Sequence, residues 1–157
     1  MTIEMQPKLA RLFLYSSGFL LMITATAKIV SSVGSVRVLQ ISDPVFGIQF
    51  RHLFLIVGGI EMIVCGYCFF GKRVRQQIAL VSLLATNFLI YRLGMWFIGW
   101  HRPCPCLGNL TDALHILPQT ADTAMKIILA YLLIGSYATL FWLWRQHRKV
   151  EGRMMND

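Results

Sequence analysis

The sequence predicts an all-α integral membrane protein, a four-helix transmembrane bundle with both termini cytoplasmic. The first observation is that charged residues make up only 14% of the chain, against roughly 25% in soluble domains. The second is a set of four apolar stretches, each with the ~20 residues that cross a bilayer core as a helix. These stretches cover residues 9–30, 51–70, 78–100 and 124–144. The third is an uneven distribution of lysine and arginine, which sets the orientation.

The expected boundaries follow from these stretches and from the residues that flank them. Asp43-Pro44 resembles a helix N-cap followed by proline at the first helical position, so the second helix is expected to begin near residue 45. Ala25-Thr26-Ala27 resembles a signal-peptide cleavage site. Its apolar stretch is longer than a usual signal peptide's, so the first helix is expected to be retained. The predicted domain is 1–157, with helices at about 9–30, 45–70, 76–100 and 121–145 and outer loops 31–44 and 101–120.

Basic residues mark one side of the predicted bundle. Nine of the fifteen lie before the first helix, between the second and third, or after the fourth: Lys8, Arg11, Lys72, Arg73, Arg75, Arg145, Arg148, Lys149 and Arg153. Four lie on the other side: Arg37, Arg51, Arg102 and Lys126. The positive-inside rule then places both termini in the cytoplasm and loop 101–120 on the outer side of the membrane. The membrane is expected to be a cell inner membrane. This anchoring accounts for the net charge of +8 without nucleic-acid binding.

Among the charged residues of the predicted spans, Lys28, Glu61 and Arg92 are singled out, because charge inside a membrane is costly and is usually paired or functional. Glu61 lies near mid-membrane, and Lys28 and Arg92 both lie where they could reach toward it from the outer half. Lys28 by itself also fits a side chain that extends to the water. Two interpretations of the group stay open: an ion pair that determines helix packing, or a polar site that binds a head group or relays protons.

Two pairs of cysteines call for different interpretations. Cys65 and Cys68 have thioredoxin-like spacing, but no βαβ pattern surrounds them. They lie inside the second helix, where cysteine commonly acts as a small apolar residue. Cys104 and Cys106, in contrast, lie in the outer loop, with Pro103 before the first cysteine and Pro105 between the two.

The Cys104–Cys106 pair is the candidate catalytic site. A disulfide across so short a ring would be strained and easily reduced, which suits thiol–disulfide exchange. His101 and Arg102 would support a thiolate by hydrogen bonding or charge. Two alternatives stay open: a structural disulfide or inert turn, and a metal site built from both cysteines, His101 and His115.

The arrangement of these residues resembles the MauE/DoxX group of redox-associated membrane proteins. The resemblance rests on four helices, Lys28 closing the first, Glu61 in the second, and Cys104-Pro105-Cys106-Leu107-Gly108 after the third. The methylamine-utilisation branch has a motif closer to Cys-Gly-Cys-Phe-Gly, from which this chain departs at two positions. The resemblance implies a part in disulfide formation during maturation of a periplasmic dehydrogenase, or in quinone-linked oxidation.

The expected function is thiol–disulfide exchange at the periplasmic face, with a periplasmic protein thiol or disulfide as partner and quinone as a candidate electron acceptor. Cys104 and Cys106 would react. The supporting polar residues would be His101, Arg102, Lys28, Glu61 and Arg92. The alternative is a non-enzymatic membrane assembly factor or transporter-like subunit, in which the C-x-C loop is structural or binds a metal.

Overall fold

The computed structural model describes residues 5–33, 37–99 and 117–154, and these form four long α-helices. The helices are α1, Met5–Val33; α2, Phe50–Phe70; α3, Val74–Phe97; and α4, Pro118–Met154. A 3₁₀ helix, Arg37–Gln40, lies in the connection between α1 and α2. The described ranges contain no β-strand, so the predicted all-α class with four helices is confirmed.

All four helices are long and apolar enough to cross a membrane. The qualifying segments are Lys8–Val33, Phe50–Phe70, Val74–Phe97 and Gln119–Gln146. Many large apolar side chains point outward; Ile63 is 74% exposed and Phe70 is 87% exposed. Exposed apolar surface on this scale is expected where the solvent is lipid. The chain is therefore a multi-pass membrane protein by the length and composition of its helices.

Successive helices run antiparallel. Gly18 lies beside Cys68 at one level of the α1–α2 interface, and Ala25 lies beside Gly58 at another. The start of α1, the α2–α3 connection and the end of α4 therefore share one side, here called the terminal end. The opposite side, the loop end, holds residues 37–49 together with Gly99 and Leu117.

Close packing of α1 against α2 depends on small residues. A Cβ added at Gly58 would lie 2.9 Å from Cγ1 of Ile29 and 3.3 Å from the carbonyl oxygen of Ala25. A Cβ added at Gly18 would lie 3.2–3.3 Å from atoms of Phe69 and Cys68. Small residues at such positions let two membrane helices approach closely enough for extensive van der Waals contact.

The bundle consists of two closely packed pairs. Helix α1 packs mainly against α2, and α3 packs mainly against α4, while contact between the pairs is sparser. Buried apolar residues join the pairs toward the terminal end: Leu14, Leu21, Val64, Cys65, Cys68, Ile78, Val81, Ala85 and Leu132. A second buried cluster lies toward the loop end: Leu39, Phe50, Leu53, Phe54 and Met95. Between these clusters the pairs separate, and that gap contains the site described below.

Gln77 satisfies the carboxyl end of α2. Its Nε2 donates to the carbonyl oxygens of Tyr67 at 2.7 Å, Gly71 at 3.0 Å and Cys68 at 3.1 Å. The last carbonyls of a helix have no partner within that helix, and unsatisfied backbone groups are costly near hydrocarbon. This buried amide from α3 therefore stabilises the tight turn between the two helices.

The helix expected from about residue 45 begins instead at Phe50. Asp43 does accept backbone hydrogen bonds, since its Oδ1 binds the amides of Val45 and Phe46 at 2.8 Å each. The single turn so formed stops at Gly47, where φ is +70°. Glycine adopts this left-handed conformation readily, so the chain reverses there before α2 starts.

We expect Gly58→Leu to destabilise the bundle by about 1–3 kcal/mol, because the new side chain overpacks the α1–α2 interface. The matched control is Gly59→Leu, since a Cβ at Gly59 meets nothing within 4 Å. The free energy of unfolding, measured by denaturant titration in detergent, should fall for the first variant only. Equal stability of the two variants would contradict the close approach at Gly58.

Candidate functional site

A cavity lies between the two helix pairs, and each of the four helices contributes to its lining. The space open to the centres of water molecules is about 110 Å³. Its polar side chains come from α1, α2 and α3: Thr24, Lys28, Glu61, Tyr91 and Arg92. The rest of the lining is apolar, with Phe54 and Phe88 on facing pairs. The site thus combines a hydrocarbon-like interior with a few charged groups.

Lys28 and Glu61 form an ion pair inside the bundle. Nζ of Lys28 lies 2.5 Å from Oε1 of Glu61, and both side chains are buried. Helical side chains incline toward the helix N-terminus, so Lys28, near the loop end of α1, points inward to Glu61 rather than outward to water. The interpretation of Lys28 as a side chain extending to the water is therefore wrong. Its ammonium also lies 5.1 Å from the centre of the Phe88 ring, a favourable cation–π arrangement.

The second carboxylate oxygen of Glu61 has a different environment. Glu61 is 1% exposed, and its Oε2 has no hydrogen-bond partner among the described residues. The hydroxyl of Thr24 lies beside the Glu61 carboxylate and donates to the carbonyl of Leu21 at 3.1 Å. A buried acceptor left without a donor costs about 1–3 kcal/mol, and more when it is charged. The site therefore offers one strong acceptor to whatever occupies it.

Arg92 pairs with Asp122 rather than with Glu61. Its Nη2 donates to Oδ1 of Asp122, in the first turns of α4. Lys126, one turn further along α4, lies 2.7 Å from the other carboxylate oxygen. The expectation that Arg92 reaches Glu61 is corrected because α3 packs against α4 and the Asp122 carboxylate occupies that interface. Arg92 nevertheless remains part of the cavity lining.

A turn in the α1–α2 connection closes part of the site at the loop end. The hydroxyl of Tyr91 donates to Oδ2 of Asp43, which is 1% exposed. The ring of Phe46 stacks on Tyr91, with centroids 5.8 Å apart and planes 5° from parallel. The connection is thereby attached to α3 through both a hydrogen bond and ring stacking.

Cys65 and Cys68 are buried and not disulfide-bonded. They lie in the core cluster that joins the helix pairs, toward the terminal end of α2. Their thiols act as small packing groups there. This placement agrees with the sequence-based expectation that the pair is structural.

The predicted reactive residues Cys104 and Cys106, with His101 and Arg102, lie outside the described residues, as does His115 of the alternative metal site. The chain leaves the described part of the structure at Gly99, where φ is +76°, and re-enters at Leu117. Within the described ranges, no three histidine, cysteine or acidic side chains form a group that could hold a metal ion.

The sequence alone does not identify Tyr91 or Asp122 as residues of the site, and it predicts Asp43 as an N-cap but not as the partner of Tyr91. Asp122 carries a usable signal, because it is one of only seven acidic residues and precedes Lys126 by one helical turn. No feature of the sequence distinguishes Tyr91, since tyrosine is common in apolar helices. Its partnership with Asp43 depends on how the connection folds back onto α3.

We expect Lys28→Met to destabilise the protein by about 3–5 kcal/mol, because it leaves the Glu61 carboxylate buried without its partner. The double variant Lys28→Met/Glu61→Gln should recover most of that loss, since neither of the two positions then carries a charge. Lys126→Met is the control; Lys126 is 62% exposed, so its loss should change stability by less than about 1 kcal/mol. Denaturant titration in detergent measures all three, and a double variant no more stable than Lys28→Met would contradict the pairing.

Comparison of the chain with protein-family models, with curated proteins and with solved structures finds no match. What the described residues themselves provide is an apolar cavity between two helix pairs. It contains a paired ammonium and carboxylate, and the carboxylate has one oxygen without a partner.

Proposed function

We propose that this chain carries out or assists thiol–disulfide exchange at the periplasmic face of a bacterial inner membrane, with Cys104 and Cys106 as the exchanging pair. The proposal begins from the C-x-C motif itself, which has His101 and Arg102 close by in sequence. The resemblance to the MauE/DoxX group supports the same chemistry.

The observation that carries the proposal is the ion pair between Arg92 and Asp122. It holds the loop end of α3 against the start of α4, and segment 100–116 runs between these two helices. Cys104 follows Gly99 by five residues, so chain length limits the separation of their Cα atoms to about 18 Å. We therefore assign the proposed exchange to the loop end of the bundle.

The placement of the other two cysteines supports assigning the chemistry to the loop. Cys65 and Cys68 are 4% and 2% exposed and are surrounded by packed helices. A thiol that attacks the disulfide of another protein must be accessible to it and must approach in line with the S–S bond. Cys65 and Cys68 are therefore not part of the proposed exchange.

Charge supports the proposed orientation. Basic residues concentrate at the terminal end, with Lys8 and Arg11 early in α1, Lys72 and Arg73 between α2 and α3, and Arg145 late in α4. The positive-inside rule assigns such an end to the cytoplasm. The loop end then faces the periplasm, a compartment in which disulfides form and persist.

The proposed reaction is a balanced exchange. In the oxidising direction, a thiolate of the partner attacks the Cys104–Cys106 disulfide, and a second partner thiol resolves the mixed disulfide. The partner dithiol loses two electrons and two protons, and the Cys104–Cys106 pair gains them as a dithiol. A quinone in the bilayer would restore the disulfide by accepting two electrons and two protons as quinol.

A second candidate function is that of a non-enzymatic assembly factor or transporter-like subunit. The observation that favours it is a charged, partly enclosed cavity within the spanning part of the bundle, because ionisable groups at this depth often mark substrate or proton paths. This alternative predicts no covalent partner. A mixed disulfide between the chain and a periplasmic protein would therefore favour thiol exchange over it.

The orientation is tested with reporters fused after Asp157. An enzyme that is active only in the periplasm should be silent there, and a reporter that is active only in the cytoplasm should be active, because nine basic residues flank that side. A fusion after Gly99 is the matched control and should give the reverse pattern. Periplasmic activity after Asp157 would place the cysteine loop in the reducing cytosol and end the proposal.

The thiol chemistry is tested by labelling with maleimide in intact cells. Cys104 and Cys106 should resist labelling until a reductant opens their disulfide, and Cys104→Ser should leave Cys106 free to trap a partner as a mixed disulfide. Mass spectrometry of the labelled and trapped species gives the readout.

The control for this test is the variant Cys65→Ala/Cys68→Ala, which should leave both results unchanged because those thiols are buried. Two results would contradict the assignment. One is free labelling of Cys104 and Cys106 under oxidising conditions. The other is unchanged partner oxidation when both are replaced by serine.

A further inference from the structure

We propose that the cavity between the two helix pairs binds one uncharged, lipid-soluble molecule with a ring hydroxyl, and that this hydroxyl donates to Oε2 of Glu61. The proposal goes beyond thiol exchange and does not depend on it, because it rests only on side chains of the four helices. The ligand belongs to the chemical class of the phenols.

The first argument is the free acceptor. Oε1 of Glu61 accepts from Lys28, whereas Oε2 is buried and has no partner at hydrogen-bond distance in the described part of the chain. The hydroxyl of Thr24 lies beside the carboxylate but donates to the carbonyl of Leu21 at 3.1 Å. An unsatisfied oxygen on a buried carboxylate favours any ligand that brings an O–H donor to it. A hydrocarbon tail that filled the same space would leave this oxygen unsatisfied.

The second argument is charge. Lys28 balances Glu61 within the cavity, and Arg92 is balanced by Asp122. Each charge on the lining thus has an opposite charge bound to it. A charged ligand would bring an uncompensated charge into the membrane interior, which is costly. The cavity is therefore suited to a neutral molecule.

The third argument is the shape and nature of the walls. Phe54 from α2 and Phe88 from α3 line the cavity on facing pairs, and Leu21, Val57 and Leu129 complete an apolar surface around the polar group. Aromatic walls favour a flat ring over a branched aliphatic body. The cavity, at about 110 Å³, is of the same order as the roughly 150 Å³ known to hold a benzene ring.

The test measures saturation binding of tritiated 4-hexylphenol to the purified full chain in lipid nanodiscs, with empty nanodiscs subtracted. The comparison ligand is the methyl ether of the same molecule, which keeps the ring and tail but has no O–H donor. We expect one saturable site per chain for the phenol and at least tenfold weaker binding of the ether, because a buried acceptor rejects an analogue that cannot donate.

A matched pair of variants locates the site. Val57→Phe fills the cavity from its lining and should weaken phenol binding at least tenfold. Ile56→Phe adds the same volume at a neighbouring position that is 55% exposed, and it should leave the affinity within twofold of the original chain. The comparison of phenol with ether uses the unaltered chain, so it holds whatever either variant does to folding.

Three results would overturn the proposal: no saturable phenol binding, equal affinity for phenol and ether, or retention of binding in folded Val57→Phe. Equal affinity would mean that an apolar tail fills the cavity without using Glu61. Replacement of both Cys104 and Cys106 by serine should leave phenol binding unchanged. Failure of the cavity proposal and failure of the thiol-exchange proposal are therefore separate outcomes.

Discussion

The buried ion pair between Lys28 and Glu61 is the interaction on which the rest of the structure depends. Each charge would be costly alone inside a membrane, so the two side chains must face each other, and this determines the inward faces of α1 and α2. The same constraint determines how far α1 is shifted along α2, because a lysine near the loop end of one helix must reach a glutamate near the middle of its neighbour. Close approach at Gly58, one turn from Glu61, brings the two helices near enough for the contact.

The second ion pair has an equivalent role in the other half of the bundle. Arg92 and Asp122 join α3 to α4 close to the loop end, and apolar contacts between these helices continue toward the terminal end. Two helix pairs, each with its own internal charge neutralisation, do not need an ion pair between them. They meet through apolar side chains at two levels and separate between them, and this separation is the physical origin of the cavity.

The cavity lies close to the helix ends that segment 100–116 connects. Segment 100–116 joins α3 to α4, and the Arg92–Asp122 pair that brings these helices together also belongs to the border of the cavity. On the other side, Tyr91 holds the α1–α2 connection through Asp43 and Phe46. Arg92 thus belongs both to the cavity lining and to the ion pair that joins the two helices flanking segment 100–116, although the two proposals do not depend on each other.

The sequence by itself determined the helical class, the number of spans and their approximate positions. Hydrocarbon leaves a spanning chain no alternative to helices or closed barrels, and apolar stretches of ~20 residues are visible without any knowledge of contacts. It also showed that Lys28, Glu61 and Arg92 place charge within apolar spans, and that Cys65 and Cys68 lie within a helix.

Tertiary structure alone decided which partner each charge takes. Glu61 could have met Lys28 or Arg92, and only the packing of α3 against α4 directs Arg92 to Asp122. The later start of α2 has a similar origin: Asp43 binds the next amides as its sequence suggests, but Gly47 then turns the chain back, so that Ile48 pairs with Asp43 before α2 begins. Hydropathy and spacing act along one helix, whereas ion pairs and cavities depend on which faces meet, and many arrangements of four apolar helices satisfy the same hydropathy.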